Sequence, residues 1–269
     1  FRDAVKLGKK PKRDIIFIAT ADEEGCIMKG AMQALKSGYA TKNSYCIDHE
    51  PSCGQVFMAH KGKTWFEITV NGAQAHGSMP WTGVDAIVGM SEVVCGIKRR
   101  IDALPEDETF GRSSVCFGTI EGGFNTNVVA DKCTITIDMR LAPPLTSEGS
   151  LELVDEAIKE ACEKVPGLTG GYKIIAKRPY ILHNENSVLL RELQKVVKDV
   201  TGEYAETAVF TGYTDTGVIA AETGNVECMS YGPKGANYHQ VDEYADLDSV
   251  LEVYEVSKKL TYQMGFVLE

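Results

Sequence analysis

Three acidic side chains stand together near the beginning of the chain, directly after a short apolar run. Asp22, Glu23 and Glu24 follow residues 15–19, whose continuous apolar character predicts a strand buried on both faces of a mostly parallel sheet. The carboxyl ends of strands are where open α/β sheets bind ligands. The plainer interpretation is an acidic turn at the start of the next helix, because Asp and Glu favour helix N-termini.

Two further side chains favour a metal site over that plainer interpretation. Glu50 and His239 also follow short predicted strands, at 44–48 and 226–231. Carboxylates gathered at one edge of a sheet repel one another unless cations neutralise them, and glutamate and histidine are suitable ligands for zinc or a similar divalent metal. A metal lowers the pKa of bound water to about 7, and a neighbouring carboxylate that is not a ligand can take the proton. Adjacent Glu23 and Glu24 could divide these two tasks, because consecutive residues point in different directions.

A second set of candidates lies further along the chain. His76 is in a glycine-containing loop, and Asn127 and Arg140 flank a predicted strand over 132–140. A lone loop histidine or a surface arginine is more often an ordinary exposed group. The planar fork of arginine is nevertheless suited to a substrate carboxylate. The remaining histidines are predicted to have no special role: His49, His60 and His183.

Composition excludes several classes of function. The net charge of −10 and the pI near 5.1 argue against a nucleic-acid partner, which would demand a basic face. The longest apolar runs are too short to span a membrane, and residues 1–13 contain no apolar core of a signal peptide. None of the eight cysteines, at 26, 46, 53, 95, 116, 133, 162 and 228, forms a Cys-x-x-Cys pair. This spacing predicts free thiols and a cytoplasmic protein.

The pattern along the chain predicts an interrupted α/β fold. A strand, helix and strand are predicted over 15–48, and short α/β elements return after 182. Between them the predicted order is β-α-β-β-α-β, the ferredoxin-like layout. We therefore expect an α/β domain at 1–54 and 179–269, with a mixed sheet and flanking helices. An inserted α+β domain is expected at 55–178.

Several short motifs, taken together and in order, resemble a known family. The chain is similar to acetylornithine deacetylase, succinyl-diaminopimelate desuccinylase, aminoacylase and glutamate carboxypeptidase over about residues 14 to 260. Each motif is weak alone, but the ordered set is specific. The residues that carry it are Asp22-Glu23-Glu24-Gly25, Glu50-Pro51, the His76 loop through Pro80, Gly83, Ala86-Ile87, Gly122-Gly123, Asn127-Val128-Val129, Arg140, Thr214-Asp215, Gly232-Pro233, His239 and Asp242-Glu243-Tyr244.

The resemblance implies that the α/β domain at 1–54 and 179–269 is a hydrolase-like catalytic domain and that the inserted domain at 55–178 is a lid or dimerisation domain. It also implies a role for each candidate residue. It implies two divalent metal ions, zinc or alternatively cobalt or manganese. Glu23 would be the general base, Glu24 and His239 would bind one metal, and Glu50 would bind the other. In the inserted domain the implied roles are oxyanion stabilisation by His76, in the active site of the partner subunit of a homodimer, and contact with the substrate carboxylate by Asn127 and Arg140.

Some departures from the family pattern limit what this chain is expected to do. The family's His-x-Asp motif and its metal-bridging Asp lie upstream of the double-Glu motif, and only 22 residues precede Glu23 here. We therefore expect an N-terminally incomplete catalytic domain, an incomplete metal site and an inactive 269-residue chain. Asp85 and Ala130 stand where the family commonly has Asn and Pro.

The leading hypothesis is metal-dependent hydrolysis of an amide bond in an N-acyl amino acid or short peptide, with no nucleic-acid or membrane partner. The alternative is a non-catalytic binding or dimerisation protein that retains the fold. A nucleotide-binding α/β protein has little support, because no phosphate-cradling glycine loop follows a strand.

Overall fold

The computed structural model describes residue 2, residue 6, residues 8–25 and residues 27–267. Cys26, one of the eight cysteines, lies outside them. The chain divides into two compact units, formed by residues 1–60 with 181–269 and by residues 61–180. Within the described residues, no helix has the length and apolar character needed to cross a membrane.

The helices and strands are α1 (Lys29–Lys36), β1 (Cys46–Asp48), β2 (Val56–His60), β3 (Gly62–Asn71), α2 (Ala86–Asp102), β4 (Ser114–Gly122), β5 (Lys132–Leu141), α3 (Ser147–Lys164), β6 (Thr169–Arg178), α4 (Val188–Thr201), β7 (Thr207–Phe210), α5 (Asp215–Thr223), β8 (Cys228–Ser230), β9 (Gly235–Ala236), β10 (Tyr244–Ala245) and α6 (Leu247–Tyr262). The described residues also include a short 3₁₀ helix, Pro80–Thr82, and a π-helical turn, Gln263–Val267.

The first unit is built on a mixed sheet. Its strand order is β1-β8-β2-β7, in which β1 is parallel to β8, β2 is parallel to β7, and β8 is antiparallel to β2. The largest core of this unit joins strand residues such as Met58 and Met229 to helix residues such as Leu193 of α4 and Val256 of α6. The α/β fold predicted from the sequence is confirmed.

Side-chain caps lie at the start of α4, α5 and α6 in the first unit. The Ser187 hydroxyl accepts a hydrogen bond from the Leu190 amide at the start of α4, and Thr214 and Asp246 cap α5 and α6 in the same way. Such a cap satisfies an amide that the helix itself leaves unpaired. Helix α4 ends at Gly202, which adopts the left-handed conformation that glycine tolerates best.

The second unit is an antiparallel sheet covered by two helices. The strand order β4-β5-β3-β6 is ferredoxin-like, and α2 and α3 pack on one face through a continuous core. Strand β5 alternates as expected, since Cys133, Ile135, Ile137 and Met139 are all buried. The residues between them face the opposite side of the sheet, which carries polar side chains. The predicted ferredoxin-like layout is therefore confirmed.

The predicted strand at 15–19 is wrong. No strand of the described chain pairs with this segment, and Phe17 is 80% exposed. An apolar run predicts burial, but it forms a strand only where a neighbouring strand supplies the ladder of hydrogen bonds.

The sequence pattern also missed β2, β7 and α5. Strand β2 pairs with β7 and β8 in the sheet of the first unit. The second unit consequently begins at residue 61, whereas the pattern predicted an inserted domain from residue 55.

Candidate active site

Two parallel strands of the first unit end at the same edge of its sheet. Asp48, the last residue of β1, is the register partner of Ser230, the last residue of β8. The loops that follow lie against each other: the Gly232 amide donates a hydrogen bond to the Ser52 hydroxyl at 3.0 Å. A side chain at Gly232 would come within 2.2 Å of the Glu50 carbonyl oxygen, so only glycine fits there. The loops containing Glu50 and His239 therefore begin side by side.

A cluster of carboxyl groups lies at this edge. Burial is the largest of the effects that together raise the pKa of Glu50 to about 7, and the negative charges of Asp48, Glu23, Asp215 and Glu24 contribute in that order. Burial also raises the pKa of Asp215, and the Asp48 charge adds to that effect. The structure thus brings together three residues expected from the sequence and two that were not assigned a role, Asp48 and Asp215.

His239 lies close to one member of this cluster. Its Nε2 atom is 3.7 Å from Oε1 of Glu24, and both side chains are largely exposed. The His239 backbone is left-handed, and its amide donates to the Glu243 carboxylate at 3.2 Å. Among the described residues, no group of three or more His, Cys, Asp or Glu side chains is arranged to hold a metal ion. Glu24 and His239 have suitable chemistry for a divalent metal, but they supply only two donors.

The raised pKa of Glu50 predicts a specific pH dependence of stability in the metal-free protein. Between its usual pKa near 4.5 and its folded pKa near 7, the folded state holds a proton that the unfolded state releases. The free energy of unfolding should therefore fall as the pH rises through this window. We expect the melting temperature to decrease from pH 5 to pH 8, and the decrease to be smaller in Glu50→Gln. The exposed Glu185→Gln variant is the control. If the melting temperature of Glu50→Gln falls with pH as steeply as that of the unmodified protein, the raised pKa of Glu50 is contradicted.

Contacts with Ser78 fix the tautomer of His76, which lies in the second unit. The Ser78 amide donates to Nδ1 of His76 at 3.2 Å, and the Ser78 hydroxyl is 2.8 Å from the same atom. Because Nδ1 accepts the amide proton, the neutral ring carries its own proton on Nε2. His76 thus presents an Nε2–H donor on an exposed loop.

The loop that carries His76 is tied to the segment that carries Asn127. The Gly77 amide donates to the Asn127 carbonyl at 2.7 Å, and the Val129 amide donates to the Ala75 carbonyl at 2.9 Å. A Cβ atom at Gly77 would lie 3.0 Å from the Asn127 backbone, closer than almost all natural contacts. His76 and Asn127 are therefore held at the same end of the second unit.

We expect Gly77→Ala to separate these two segments. Forcing a side chain into packed surroundings typically costs about 1 to 3 kcal/mol, and here the obstructing atoms belong to the backbone. The melting temperature of Gly77→Ala should fall below that of Gly171→Ala, a control at which an added Cβ meets no atom within 4 Å. Equal melting temperatures for the two variants would show that the contact is not tight.

Arg140 lies at the opposite end of β5. It is half-buried, and its guanidinium pairs with Asp138 at 2.9 Å. Its register partners are Lys63 and Ser114, whereas Lys132, at the Asn127 end, pairs with Asn71. With a rise of about 3.3 Å per residue, the two ends of β5 are roughly 26 Å apart. The second unit therefore places His76 with Asn127 but not with Arg140.

A buried polar network beneath the acidic edge was not predicted from the sequence. His60 contacts Thr214 at 3.1 Å through Nε2, Thr214 contacts the Thr216 hydroxyl at 2.9 Å, and Thr216 donates to Oδ2 of Asp48 at 2.8 Å. Burial lowers the pKa of His60 to about 4, so the ring is neutral near pH 7. No local pattern reveals this network, because its members are far apart in the sequence.

Comparison with known proteins identifies the second unit. Residues 58–166 match the M20 family model described as a peptidase dimerisation domain. The chain is 29% identical over 201 residues to the acetylornithine deacetylase of Vibrio cholerae, covering 70% of this chain and 52% of that enzyme. It is 24% identical over 286 residues to a probable succinyl-diaminopimelate desuccinylase of Staphylococcus aureus, covering 94% and 68%. This chain therefore spans about half to two-thirds of the length of these relatives.

Solved structures agree with the sequence matches. A tripeptidase from Staphylococcus aureus superimposes with a TM-score of 0.78 at 21% identity, over 97% of this chain and 68% of that one. An M20 family metallo-carboxypeptidase from Sulfolobus solfataricus gives a TM-score of 0.68 at 13% identity, over 89% and 68%. The protein thus has an α/β fold interrupted by a domain that is similar to the peptidase dimerisation domain. More specifically, the chain is similar to M20 peptidases and deacetylases, which confirms the resemblance found in the sequence.

Proposed function

We propose that the complete gene product hydrolyses an amide bond in an N-acyl amino acid or short peptide with the help of two divalent metal ions, zinc in the first instance. The observation that carries this proposal is the acidic cluster at the ends of β1 and β8, where Glu24 lies 3.7 Å from His239 and where burial and neighbouring carboxylates raise the pKa of Glu50. Such concentrated negative charge is typical of sites that receive cations. The names of the relatives, a deacetylase, a desuccinylase and a tripeptidase, support the substrate class.

The metal ligands available in this chain are Glu24 and His239 for one ion and Glu50 for the other. A bound divalent cation would polarise the amide carbonyl and lower the pKa of a water molecule. Catalytic zinc usually has three protein ligands, so each ion needs donors beyond those supplied here. We therefore propose that these 269 residues alone bind at most one metal weakly and do not hydrolyse the substrate.

Glu23 is the proposed general base. It is half-buried beside Glu24 and is close enough to Glu50 to raise the pKa of that carboxyl group. It takes a proton from the attacking water and delivers it to the nitrogen of the leaving amine, as a positioned carboxylate can do. This role requires that Glu23 remain outside the metal coordination sphere.

The second unit supplies the remaining groups. The Nε2–H of His76 is free of the Ser78 contacts and donates to the developing oxyanion, while Asn127 and Arg140 bind near the substrate carboxylate. The resemblance of the chain supports a role for His76 in the active site of the partner subunit.

A homodimer formed through the second unit accounts for the proposed action of His76 in the partner subunit. Strand β4 is an edge strand, and exposed apolar side chains lie along it and beside its end: Ile120, Phe124, Ile87 and Val88. Unpaired edge strands readily pair with another chain, and a twofold axis would align two copies of β4.

Hydrolysis by the complete gene product tests the proposal. N-acetyl and N-succinyl amino acids and tripeptides should be assayed with zinc, cobalt or manganese. We expect turnover that is lost with a chelator and restored by metal. Glu24→Gln should abolish turnover, whereas the exposed control Glu185→Gln should retain it. If the metal-loaded protein hydrolyses none of these substrates, the alternative of a non-catalytic dimerisation protein gains support.

A further inference from the structure

Two cysteines are register partners on neighbouring strands of the first unit. Cys46 on β1 pairs with Cys228 on β8 in the parallel ladder. Neighbouring strands lie about 4.8 Å apart, which falls within the roughly 4.4–6.8 Å that separates the Cα atoms of disulfide-bonded cysteines. Because paired residues of parallel strands direct their side chains to the same face, the two thiols lie on the same side of the sheet.

The surroundings distinguish the two thiols. Both pack against the same apolar cluster, which includes Ala40 and Ile219, but Cys228 is buried whereas Cys46 is only half-buried. The interaction between the two thiols lowers the pKa of Cys46, while the same interaction and burial raise the pKa of Cys228. Cys46 therefore has both the better access and the greater thiolate character, the two properties that make a cysteine nucleophilic.

We propose that Cys46 and Cys228 form a peroxide-reactive dithiol site that closes to a disulfide between β1 and β8. The Cys46 thiolate attacks one oxygen of a hydroperoxide, the O–O bond breaks, and a sulfenic acid forms at Cys46 as water or an alcohol leaves. Cys228 then gives up its proton and attacks the Cys46 sulfur, which releases the sulfenic oxygen as water. Overall, the peroxide is reduced by two electrons and the two thiols are oxidised.

The position of this site links it to the acidic edge of the sheet. Cys46 and Cys228 each precede the last residue of their strand by two positions, and those last residues, Asp48 and Ser230, lead into the loops of Glu50 and His239. A disulfide here covalently fixes the register of the two strands that carry these loops. The inference does not depend on the proposed hydrolase activity.

Other cysteines of the described chain lack this arrangement and serve as controls. Cys116 has Asp138 as its cross-strand partner, and Cys133 has Val70 and Gly122. Cys116 is exposed, so it reports simple accessibility to the oxidant without a neighbouring thiol.

Peptide mapping by mass spectrometry tests the proposal. The reduced 269-residue chain should be treated with hydrogen peroxide at low protein concentration, alkylated and digested. We expect a peptide pair joined through Cys46 and Cys228 with the loss of two hydrogen atoms, separated again by dithiothreitol. Cys116→Ser should give the same product.

Single variants test the order of the two steps. In Cys228→Ser, Cys46 should accumulate as a sulfenic acid that dimedone traps. In Cys46→Ser, Cys228 should remain a free thiol. The proposal is overturned if Cys46 and Cys228 stay reduced while Cys116 oxidises, if the two are modified separately without a link, or if the link joins two different chains.

Discussion

Glu23→Ala in the complete gene product is expected to lower turnover by about 10² to 10⁴-fold while leaving metal content unchanged. This range is the usual contribution of a positioned general base to the rate. The reason is that the two adjacent carboxylates are proposed to have different roles: Glu24 lies 3.7 Å from His239, and Glu23 raises the pKa of Glu50 more than Glu24 does. Turnover should be measured with the best amide substrate, and bound metal should be measured on the same preparation.

The matched control is Glu24→Ala, which should lose both metal and turnover. A Glu23→Ala protein that also loses metal would show that Glu23 is a ligand and that the proposed difference in roles is wrong. If the Glu23→Ala protein has full turnover, Glu23 is not the general base.

Mixing two inactive variants should restore activity if His76 acts across the dimer. A heterodimer of His76→Ala with Glu23→Ala contains one site in which both groups are intact. Random exchange makes half of the dimers mixed, so the mixture should reach about one quarter of wild-type activity. The basis for this expectation is the proposed action of His76 in the active site of the partner subunit.

The control for this experiment mixes Glu23→Ala with Glu24→Ala. Both residues belong to the first unit, so no mixed dimer contains an intact site and activity should not return. Subunit exchange must be demonstrated with differently tagged chains. If exchange occurs and the His76→Ala mixture stays inactive, His76 acts within its own subunit or has no role in turnover.

The parts of the fold that were predicted correctly carry strong local signals. Helix α4 begins at a capping serine and ends at Gly202, and β5 alternates buried and half-exposed residues. Strand β7 and helix α5 were missed because they are short and rich in threonine and small residues, which carry little periodicity. The segment 15–19 failed for another reason: its apolar character is genuine, but no strand of the described chain pairs with it.

Some residues of the candidate site could be predicted from the sequence and others could not. Glu23, Glu24, Glu50 and His239 could be selected because each follows a predicted strand or belongs to an ordered family motif. Asp48, Asp215 and His60 could not, since their proximity depends on which strands and helices pack together. The roles of all these residues stay predictions.

Anomalous X-ray diffraction at the zinc edge, from crystals of the zinc-loaded complete gene product, tests the central claim most directly. We predict two metal peaks, one within about 2.0–2.2 Å of ligand atoms of Glu24 and His239 and one similarly close to Glu50. No peak should lie within bonding distance of Glu23. A metal bonded to Glu23, or metals bound elsewhere while Glu24 and His239 remain unliganded, would contradict the account.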